Sequence, residues 1–367
     1  MDKLRLGVIG VGVIGKVHIE NILAGRCPEI VLTAVASRNA ENLAWAKERA
    51  PFAARFQSAR EMADSGLIDA ALIATPHCAH PEGADICFSR GLHVMTEKPA
   101  AVCALDARAM SLTAEKAGVI YAIMFNRRVD PVFGKMREIV QSGMLGDIRR
   151  TNWIATDWYR PQAYYDSGGW RATWRGEGGG VLLNQCPHNL DLLQWICGMP
   201  VSVEAKVHFG KWHAIEVEDD VSAYFEYANG ATGVFITSTG DAPGTNRFEI
   251  SLSGGKLLAE NRRLTVTKLE VSEEEFSKIC KEPFGKPKEH EYEAVSGQKQ
   301  YSHAAVMNAF AAAVLRAGPL VARGEEGVNS LTLSNAMHLS AWTNSKITLP
   351  MDDAAFRGEL AKRARRA

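Results

Sequence analysis

The chain has 367 residues, enough for two domains of ordinary size, and it carries 42 basic and 42 acidic residues. Hydrophobic residues make up 46% and charged residues 23%, as in globular proteins, so the disordered and fibrous classes are excluded. The zero net charge argues against a nucleic-acid or anionic-membrane surface. The basic end, Lys362–Arg366, is interpreted as a solvated helix end.

No apolar run approaches the roughly 18–20 residues of a membrane span, and the N-terminal residues lack the apolar core of a signal peptide. The seven cysteines are scattered and contain no Cys-x-x-Cys pair. We therefore expect reduced thiols in a cytoplasmic protein, without a disulfide framework and without a metal site.

The first third of the chain alternates short apolar runs with helical patterns. The apolar runs lie at Leu4–Ile9, Ile30–Ala36, Ala70–Ala74, Leu92–Met95 and Val119–Met124, and the helical patterns at about 15–24, 40–50, 80–90 and 103–117. Strands separated by helices of this length predict βαβ units and a parallel sheet with both faces covered. We therefore predict a doubly wound α/β domain of the Rossmann type over residues 1–123.

The pattern changes after residue 124. Helical patterns lie near 131–142, Val181–Ile196, 302–317 and 326–344. Strand-like segments lie near 147–157, 201–209, 219–227, 231–239, 247–253 and 347–349. A loop rich in Gly, Trp and Tyr spans 158–180. Turn signals such as Ala228-Asn229-Gly230 and Ser253-Gly254-Gly255 join the segments as antiparallel hairpins. The prediction is an α+β domain over 124–367 with a large, mostly antiparallel open sheet, its helix at 326–344 packing back on the first domain.

A glycine-rich turn with the residues G-V-G-V-I-G runs from Gly10 to Gly15, between the first strand and the first helix. In a βαβ setting this spacing is typical of a dinucleotide-binding turn. Gly10 is expected to form the tight turn, Gly12 to let the backbone approach a pyrophosphate, and Gly15 to allow close helix packing. Amides at the helix start, including those of Val13 and Ile14, would bind the phosphates. The alternative is a tight turn that binds no ligand.

The second strand is followed by Ser37, Arg38 and Asn39, without the acidic residue that binds the ribose hydroxyl of NAD. Ser37 and Arg38 suit a 2′-phosphate instead, so we slightly favour NADP over NAD. Arg38 can also stack on adenine, and the alternative to both roles is an ordinary surface arginine.

Five further motifs follow in a fixed order. They are Ala74-Thr75-Pro76 with His80, Glu97-Lys98-Pro99, Trp170-Arg171, Gly178-Gly179-Gly180 and His188-Asn189-Leu190-Asp191. With the glycine turn, this combination resembles the Gfo/Idh/MocA oxidoreductase family over nearly the whole chain. The resemblance implies an NAD(P)-dependent enzyme. Beyond the glycine turn, Ser37 and Arg38, the implied cofactor residues are Ala74, Thr75, Pro76, His80, Glu97, Lys98 and Asn126.

Lys98 is the first residue to which the resemblance gives a catalytic role. In the family this lysine contacts the reacting hydroxyl or carbonyl and the nicotinamide ribose, and its cation can stabilise a developing alkoxide. Glu97 is interpreted as its structural neighbour, and the resemblance also implies a cis Lys98–Pro99 peptide bond. The alternative for Lys98 is a surface lysine at the end of a strand.

Asn184 and His188 lie four residues apart in the predicted helix and would share one helix face. By resemblance His188 is the general base, a role that suits histidine around neutral pH. The family usually has Asp where this chain has Asn184, which can orient the histidine or bind a hydroxyl but adds no charge. A buried structural histidine is the alternative for His188, and Asp191 is interpreted mainly as a local structural partner.

The segment between these motifs is rich in aromatic residues, with four of the eight tryptophans in 153–174. Aromatic faces stack on the apolar face of a pyranose, so we expect this segment to define the substrate; the alternative is that the rings cover the open face of the sheet. Trp170 and Arg171 match family positions near the substrate. The residues predicted to contact the substrate are Lys98, Arg127, Asp157, Tyr159, Trp170, Arg171, Asn184 and His188.

Three functions are compatible with these residues. The preferred one is an NAD(P)-dependent dehydrogenase or reductase that acts on a ring hydroxyl or keto group of a sugar, glycoside or cyclic polyol. The second is a reductase of a non-carbohydrate carbonyl or a dihydrodiol, and the third is a non-catalytic dinucleotide-binding regulator, which the presence of both Lys98 and His188 argues against. We also expect a homodimer or homotetramer through the open sheet face, and neither nucleic-acid nor membrane partners.

Overall fold

A computed structural model describes residues 3–297 and 302–365 of the chain. In these ranges the strands are β1 (Leu4–Ile9), β2 (Ile30–Ala36), β3 (Ala54–Phe56), β4 (Ala70–Ile73), β5 (His93–Thr96), β6 (Tyr121–Ile123), β7 (Ile148–Ala155), β8 (Ser202–Phe209), β9 (Glu218–Glu226), β10 (Thr232–Ser238), β11 (Asn246–Leu252), β12 (Gly255–Glu260), β13 (Arg263–Leu269), β14 (Glu289–Ser296) and β15 (Ile347–Thr348).

Helices separate many of these strands. The α-helices are α1 (Val13–Leu23), α2 (Ala40–Arg49), α3 (Ala59–Asp64), α4 (His80–Phe88), α5 (Ala104–Ala117), α6 (Pro131–Ser142), α7 (Gln162–Asp166), α8 (Pro187–Cys197), α9 (Glu273–Ile279), α10 (His303–Arg316), α11 (Gly327–Thr343) and α12 (Asp353–Ala364). Several begin at side-chain caps, for example Asn39 before α2, Asp130 before α6 and Ser302 before α10.

The described residues form two compact units, which are treated separately below. One contains residues 3–129, 176–178 and 302–332, and the other contains 130–175, 179–297 and 333–365. Each unit therefore combines segments that are distant in the sequence. The continuous ranges 1–123 and 124–367, and the packing of the helix near 326–344, stay predictions.

The first unit contains a six-stranded parallel sheet in the order β3-β2-β1-β4-β5-β6. Its central strands are short and almost wholly apolar because helices cover both faces. Strand order reverses between β1 and β4, the position at which doubly wound folds bind ligands. The predicted Rossmann-type sheet is confirmed, and the sequence patterns did not predict β3, α3 and the short 3-10 helices of this unit.

The second unit contains a nine-stranded sheet in the order β14-β13-β12-β11-β7-β10-β9-β8-β15. Its neighbouring strands are antiparallel except for the parallel pair β7 and β10. Trp153 stacks on Phe248 with ring centroids 4.2 Å apart, in a core that also contains Leu190 of α8 and Met337 of α11. The predicted α+β architecture with a mostly antiparallel sheet is confirmed; β12, β13, β14, α9 and the short helix α7, in the segment predicted as a loop, were not predicted.

Candidate active site

In the first unit, the fold requires glycine at two positions of the glycine turn, whereas the third glycine has free space beside it. Gly10 has φ +94°, and a Cβ there would lie 2.6 Å from the Ala74 carbonyl oxygen. A Cβ on Gly15 would lie 2.0 Å from the carbonyl oxygen of Gly10, so the turn requires glycine at both positions. A Cβ on Gly12 would meet no atom within 4 Å, which leaves room for a ligand to approach the backbone.

The start of α1 is suited to an anion. Gly12 is the N-cap and supplies no side-chain cap, and the first turn contains no acidic residue. Val13 is 82% exposed, so the helix start is accessible. Uncapped amides and the positive end of the helix dipole bind phosphate groups. Together with the open position at Gly12, these features fit the pyrophosphate of a dinucleotide.

The carboxyl ends of the parallel strands bring the predicted cofactor residues to one edge of the sheet. Ser37 and Arg38 follow β2, Thr75 follows β4, Lys98 follows β5 and Asn126 follows β6. Arg38 is exposed, whereas the Ser37 hydroxyl accepts the backbone N–H of Asn39 at 3.2 Å. This edge is where dinucleotides bind in doubly wound sheets.

Lys98 is half-buried and held through its backbone. The Glu97 N–H donates to the carbonyl of Ile73 at 2.8 Å, which extends β5 by one residue. The Lys98 N–H donates to Oε2 of Glu97 at 3.1 Å, and the Lys98–Pro99 peptide bond is cis, as the resemblance implied. The lysine backbone is therefore fixed at the end of β5.

His80 connects the segment after β4 to the segment after β5. Its Nδ1 lies 2.8 Å from the carbonyl oxygen of Pro99, and its Nε2 lies 2.9 Å from that of Thr75. The side chain is fully buried, and burial lowers its pKa although the two carbonyls and Glu97 act in the opposite direction. His80 therefore cross-links two segments that both carry predicted cofactor residues.

Sequence reasoning missed two histidines of this unit. Nε2 of His18, on α1, lies 2.7 Å from Oε1 of Glu97. His303, at the start of α10, packs edge-on against His18 with ring centroids 5.3 Å apart, and the Asn126 amide donates to its Nε2 at 3.3 Å. The available signal was a histidine on the apolar face of the helix that follows the glycine turn.

In the second unit the structure corrects the predicted helix. Helix α8 begins at Pro187, with Cys186 as its N-cap, so Asn184 lies outside it. The prediction that Asn184 and His188 share one helix face is therefore wrong. The chain from Gly180 to Cys186 forms successive turns instead, in which the Asn184 N–H donates to the Gly180 carbonyl at 2.9 Å. Asn184 and His188 are both half-buried.

The turn before α8 is held by a buried carboxylate that sequence reasoning also missed. Both oxygens of Glu218 accept the N–H of Gly180 at 2.8 Å, and Oε1 accepts that of Leu182 at 2.9 Å. Nε2 of His338 lies 2.9 Å from Oε2. Glu218 is fully buried at the start of β9. An acidic pair, Glu218-Asp219, at the start of an alternating strand was the signal available in the sequence.

Residues beside His188 have structural partners. The buried Asp191 accepts a hydrogen bond from the Gln194 amide at 3.0 Å, which is consistent with its predicted local role. Trp158 donates through Nε1 to Oδ1 of Asn189 at 3.3 Å. This contact joins the aromatic segment to α8.

The aromatic segment lines a cavity within the second unit, whose walls combine charged and apolar residues. Arg171 lies over the rings of Tyr164 and Trp170, at 4.5 and 4.8 Å from their centroids, and donates to the Tyr164 hydroxyl at 2.8 Å. A cavity of about 520 Å³ beside Arg171 is lined by residues that include Tyr165, Asp166, Thr173 and Glu216.

The other predicted substrate residues lie apart from this cavity lining. Asp157 and Tyr159 are exposed, and Asp157 accepts the Asn246 amide at 3.0 Å. Arg127 is half-buried in the 3-10 helix Asn126–Val129 of the first unit. Arg127 and Lys98 therefore belong to one unit, and the remaining predicted substrate residues belong to the other.

The described residues contain neither a metal-binding cluster nor a helix suited to cross a membrane. Over 3–297 and 302–365, no group of three or more His, Cys, Asp or Glu side chains is arranged to hold a metal ion. In the same ranges, no helix combines the length and the apolar character needed to cross a membrane.

Known proteins resemble this chain over most of its length. Residues 4–125 match the model of an oxidoreductase family with an NAD-binding Rossmann fold, and residues 133–258 match the GFO/IDH/MocA C-terminal domain. A myo-inositol 2-dehydrogenase of Thermotoga maritima is 28% identical over 274 residues, which are 72% of this chain and 78% of the relative. A trans-1,2-dihydrobenzene-1,2-diol dehydrogenase of Mus musculus is 28% identical over 265 residues, 71% of this chain and 75% of the relative.

A solved structure shows the same likeness. The crystal structure of the WlbA dehydrogenase from Chromobacterium violaceum, in complex with NADH and UDP-GlcNAcA, has a TM-score of 0.83 and 26% identity, covering 96% of this chain and 97% of that one. Both family models therefore match in the expected order, and the folds agree across almost the whole length. The chain belongs to the Gfo/Idh/MocA family and is an NAD(P)-dependent oxidoreductase.

Proposed function

We propose that the protein is a dehydrogenase that transfers hydride between nicotinamide and a ring hydroxyl or keto group of a sugar, glycoside or cyclic polyol. The observation that carries this proposal is the sheet edge of the first unit, which combines the open position at Gly12 with the anchored backbone of Lys98. A non-catalytic regulator has no need of a lysine fixed at that edge. The inositol and nucleotide-sugar compounds in the names of the related proteins support the substrate class.

In the proposed mechanism, Lys98 and His188 have different roles. The nicotinamide cofactor, held by the glycine turn, would supply the acceptor for the hydride, which leaves the substrate carbon with the electron pair of the broken C–H bond. Lys98 holds the substrate oxygen and stabilises the negative charge that develops on it. His188 takes the hydroxyl proton as the C=O bond forms, and returns it in the reverse direction. Asn184 orients His188 or binds a substrate hydroxyl.

The cofactor residues we propose are the glycine turn, Ser37, Arg38, Ala74, Thr75, Pro76, His80, Glu97, Lys98 and Asn126. Arg38 is exposed directly after β2, and no acid stands beside it, which supports the slight preference for NADP over NAD. Hydride transfer with a positioned lysine and histidine requires no metal ion, and we propose none.

The substrate contacts we propose are Lys98, Arg127, Asp157, Tyr159, Trp170, Arg171, Asn184 and His188. Arg171 beside Trp170 offers both an aromatic face and a charged donor, the combination that suits a hydroxylated ring. A dihydrodiol or another non-carbohydrate carbonyl is the second candidate, supported by the mouse relative. The charged and hydroxyl side chains in the lining of the cavity beside Arg171, such as Asp166, Thr173 and Glu216, favour the carbohydrate class.

We further propose a cytoplasmic homodimer or homotetramer. Ile154 and Tyr224 are exposed on neighbouring parts of the large sheet, and a second copy would cover them. All seven cysteines are free thiols, which suits a reducing compartment. A strictly monomeric mass by light scattering at micromolar concentration would contradict the proposed assembly.

The decisive experiment is a screen of monosaccharides, glycosides, inositols and dihydrodiols with NAD⁺ and NADP⁺, followed by the absorbance of the reduced cofactor. Turnover of a cyclic polyol or pyranoside is expected. Lys98→Ala and His188→Ala should each lower that turnover by about 10²–10⁴-fold, the range of positioned acid–base groups, while dinucleotide binding stays mostly intact. Dinucleotide binding without turnover of any compound would favour the regulator instead.

A further inference from the structure

Both oxygens of the Glu97 carboxylate are used at the end of β5. Oε1 lies 2.7 Å from Nε2 of His18, and Oε2 accepts the backbone N–H of Lys98 at 3.1 Å. Glu97 and His18 are buried, whereas Lys98 is half-buried. The carboxylate therefore connects a histidine of α1 to the backbone of the proposed catalytic lysine.

The surroundings of His18 determine which ring nitrogen carries the proton. Its Nδ1 is buried and has no hydrogen-bond partner among the residues that the structure describes. A proton on Nδ1 would be a buried donor without an acceptor, which is costly, whereas a proton on Nε2 is shared with Glu97. The ring therefore donates from Nε2 to the carboxylate.

Charges from several elements bear on Glu97. His18 approaches it from α1, His303 from α10, His80 from α4, and Lys98 from its own segment. Burial acts to raise the pKa of Glu97, but the hydrogen bond from His18, with smaller contributions from His303 and Lys98, outweighs burial and lowers it. The carboxylate is thus kept ionised in a buried site mainly by its hydrogen bond from His18.

We propose that His18 is a positioning residue for the reaction, acting through Glu97: its N–H fixes one carboxylate oxygen, so that the other oxygen holds the backbone of Lys98. This inference rests on the proposed function, because it assigns His18 a role only through the proposed catalytic lysine. The contacts that the structure gives His18 are the hydrogen bond to Glu97 and the ring packing against His303. Loss of His18 should therefore alter turnover more than dinucleotide affinity.

The pH dependence of kcat/KM follows from the direction in which His18 moves the pKa of Glu97. A carboxylate with a lowered pKa becomes protonated only at acid pH, so in the wild type the acid limb of kcat/KM should report one group, His188. Without the donor of His18, burial raises the pKa of Glu97. Protonation of Glu97 then adds a second group to the acid limb, which becomes steeper and moves to higher pH.

The test compares His18→Phe with His18→Gln. Phenylalanine keeps an aromatic ring against His303 but removes the donor, whereas glutamine keeps an N–H donor. His18→Phe should lower kcat about 10- to 100-fold, the usual cost of removing a buried partner of a functional group, with a much smaller change in Kd for the dinucleotide and a two-proton acid limb. His18→Gln should recover most of kcat and the one-proton limb.

A wild-type kcat and acid limb in His18→Phe, with only the melting temperature lowered, would show a merely structural histidine and overturn the proposal. If His18→Phe fails to fold, Glu97→Gln gives the measurement, because it removes the charge at every pH. It should lower kcat by a similar factor and keep a one-proton limb, and a wild-type kcat would overturn the proposal. Full turnover in Lys98→Ala would instead reject the proposed function, whatever His18 does.

Discussion

The Glu218 carboxylate accepts the backbone N–H of Gly180 with both of its oxygens, each 2.8 Å from the nitrogen. A Cβ on Gly180 would lie 2.0 Å from the carbonyl oxygen of Glu218, so the close approach also requires glycine. The Gly180 carbonyl in turn accepts the N–H of Asn184. The start of β9 therefore fixes the turns that lead to His188.

Glu218→Gln should destabilise the protein and lower turnover together. Glutamine offers one acceptor oxygen in place of two, and its N–H₂ group would take the place of Oε2, against the Gly180 N–H and beside Nε2 of His338. Loss of charge-assisted hydrogen bonds in a fully buried site should lower the free energy of unfolding by about 2–3 kcal/mol, measured by urea denaturation. Glu226→Gln, which removes a partly exposed ion pair with Lys346, is the matched control and should cost less than about 1 kcal/mol. Equal losses in the two variants would contradict the role of Glu218.

The sequence patterns predicted most strands of the two sheets, because apolar runs and turn residues are features of short, continuous segments of the chain. The apolar runs of the first third and the hairpin turns at Asn229-Gly230 and Gly254-Gly255 correspond to elements found in the structure. Strands β12, β13 and β14 were missed because their side chains alternate with many charged residues, as expected for strands toward the edge of a sheet.

The partners of the candidate site were harder to predict, since they are set by tertiary contacts. His18 and Glu97 are 79 positions apart, and Gly180 and Glu218 are 38 apart, so no spacing rule connects them. The helix predicted from Val181 was wrong because Glu218 binds the amides of the preceding turns, and α8 starts only at Pro187, a residue favoured at a first helical position. The family and fold are confirmed, while the roles of the site residues stay predictions.

Gly12→Val and Gly15→Val should have opposite effects on folding and binding. A side chain at Gly12 meets no protein atom within 4 Å, so the variant should fold normally but lose dinucleotide affinity by 100-fold or more, on the order of 3 kcal/mol, because the branched side chain fills the space of the pyrophosphate. A Cβ at Gly15 meets the Gly10 carbonyl, so that variant should be strongly destabilised. Fluorescence titration with NADH and thermal unfolding distinguish the two outcomes.

Unchanged NADH and NADPH affinity in folded Gly12→Val would remove the glycine turn from the cofactor site. Gly25→Ala provides a comparison of a different kind, because Gly25 has φ +71° but meets no atom within 4 Å. It should lose modest stability from backbone strain and leave dinucleotide affinity unchanged.

Arg38→Ala should separate the two cofactors. If Arg38 binds a 2′-phosphate, the variant should lose roughly 10- to 100-fold in NADPH affinity, about 1.4–2.8 kcal/mol, and little in NADH affinity. Equal losses for both cofactors would mean that Arg38 stacks on adenine, and no loss for either would mean an ordinary surface arginine. Asn39→Ala serves as a control for the neighbouring helix cap, because it removes the acceptor of the Asn42 N–H and should affect stability but not the ratio of the two affinities.

The rate at which each cysteine is alkylated should depend on how deeply its thiol is buried. Cys78 is exposed and follows Thr75 in the segment after β4, whereas burial raises the pKa of Cys27 to about 11 and that of Cys87 to about 12. Because the thiolate is the reactive form, iodoacetamide at pH 8 should modify Cys78 well before either buried thiol, as measured by peptide mass spectrometry. Cys78→Ser should lose the fast phase, and modification of Cys87 at the same rate as Cys78 would contradict the burial order.

Asn184→Asp tests how the turn before α8 serves His188. Asn184 is half-buried and lies outside the helix, so its side chain is directed by the turns that Glu218 holds, not by a helix face shared with His188. If Asn184 only orients His188, the aspartate should retain kcat and move the acid limb of the pH–rate profile to higher pH, because a negative charge favours the protonated imidazole. If the amide of Asn184 donates to a substrate hydroxyl, the aspartate should raise KM and leave the acid limb in place. Asn184→Ala completes the comparison, since it removes both the orienting group and the donor and should lower kcat/KM in either case. If Asn184→Asp and Asn184→Ala both keep the wild-type kcat, KM and acid limb, Asn184 is not part of the site, and other residues orient His188.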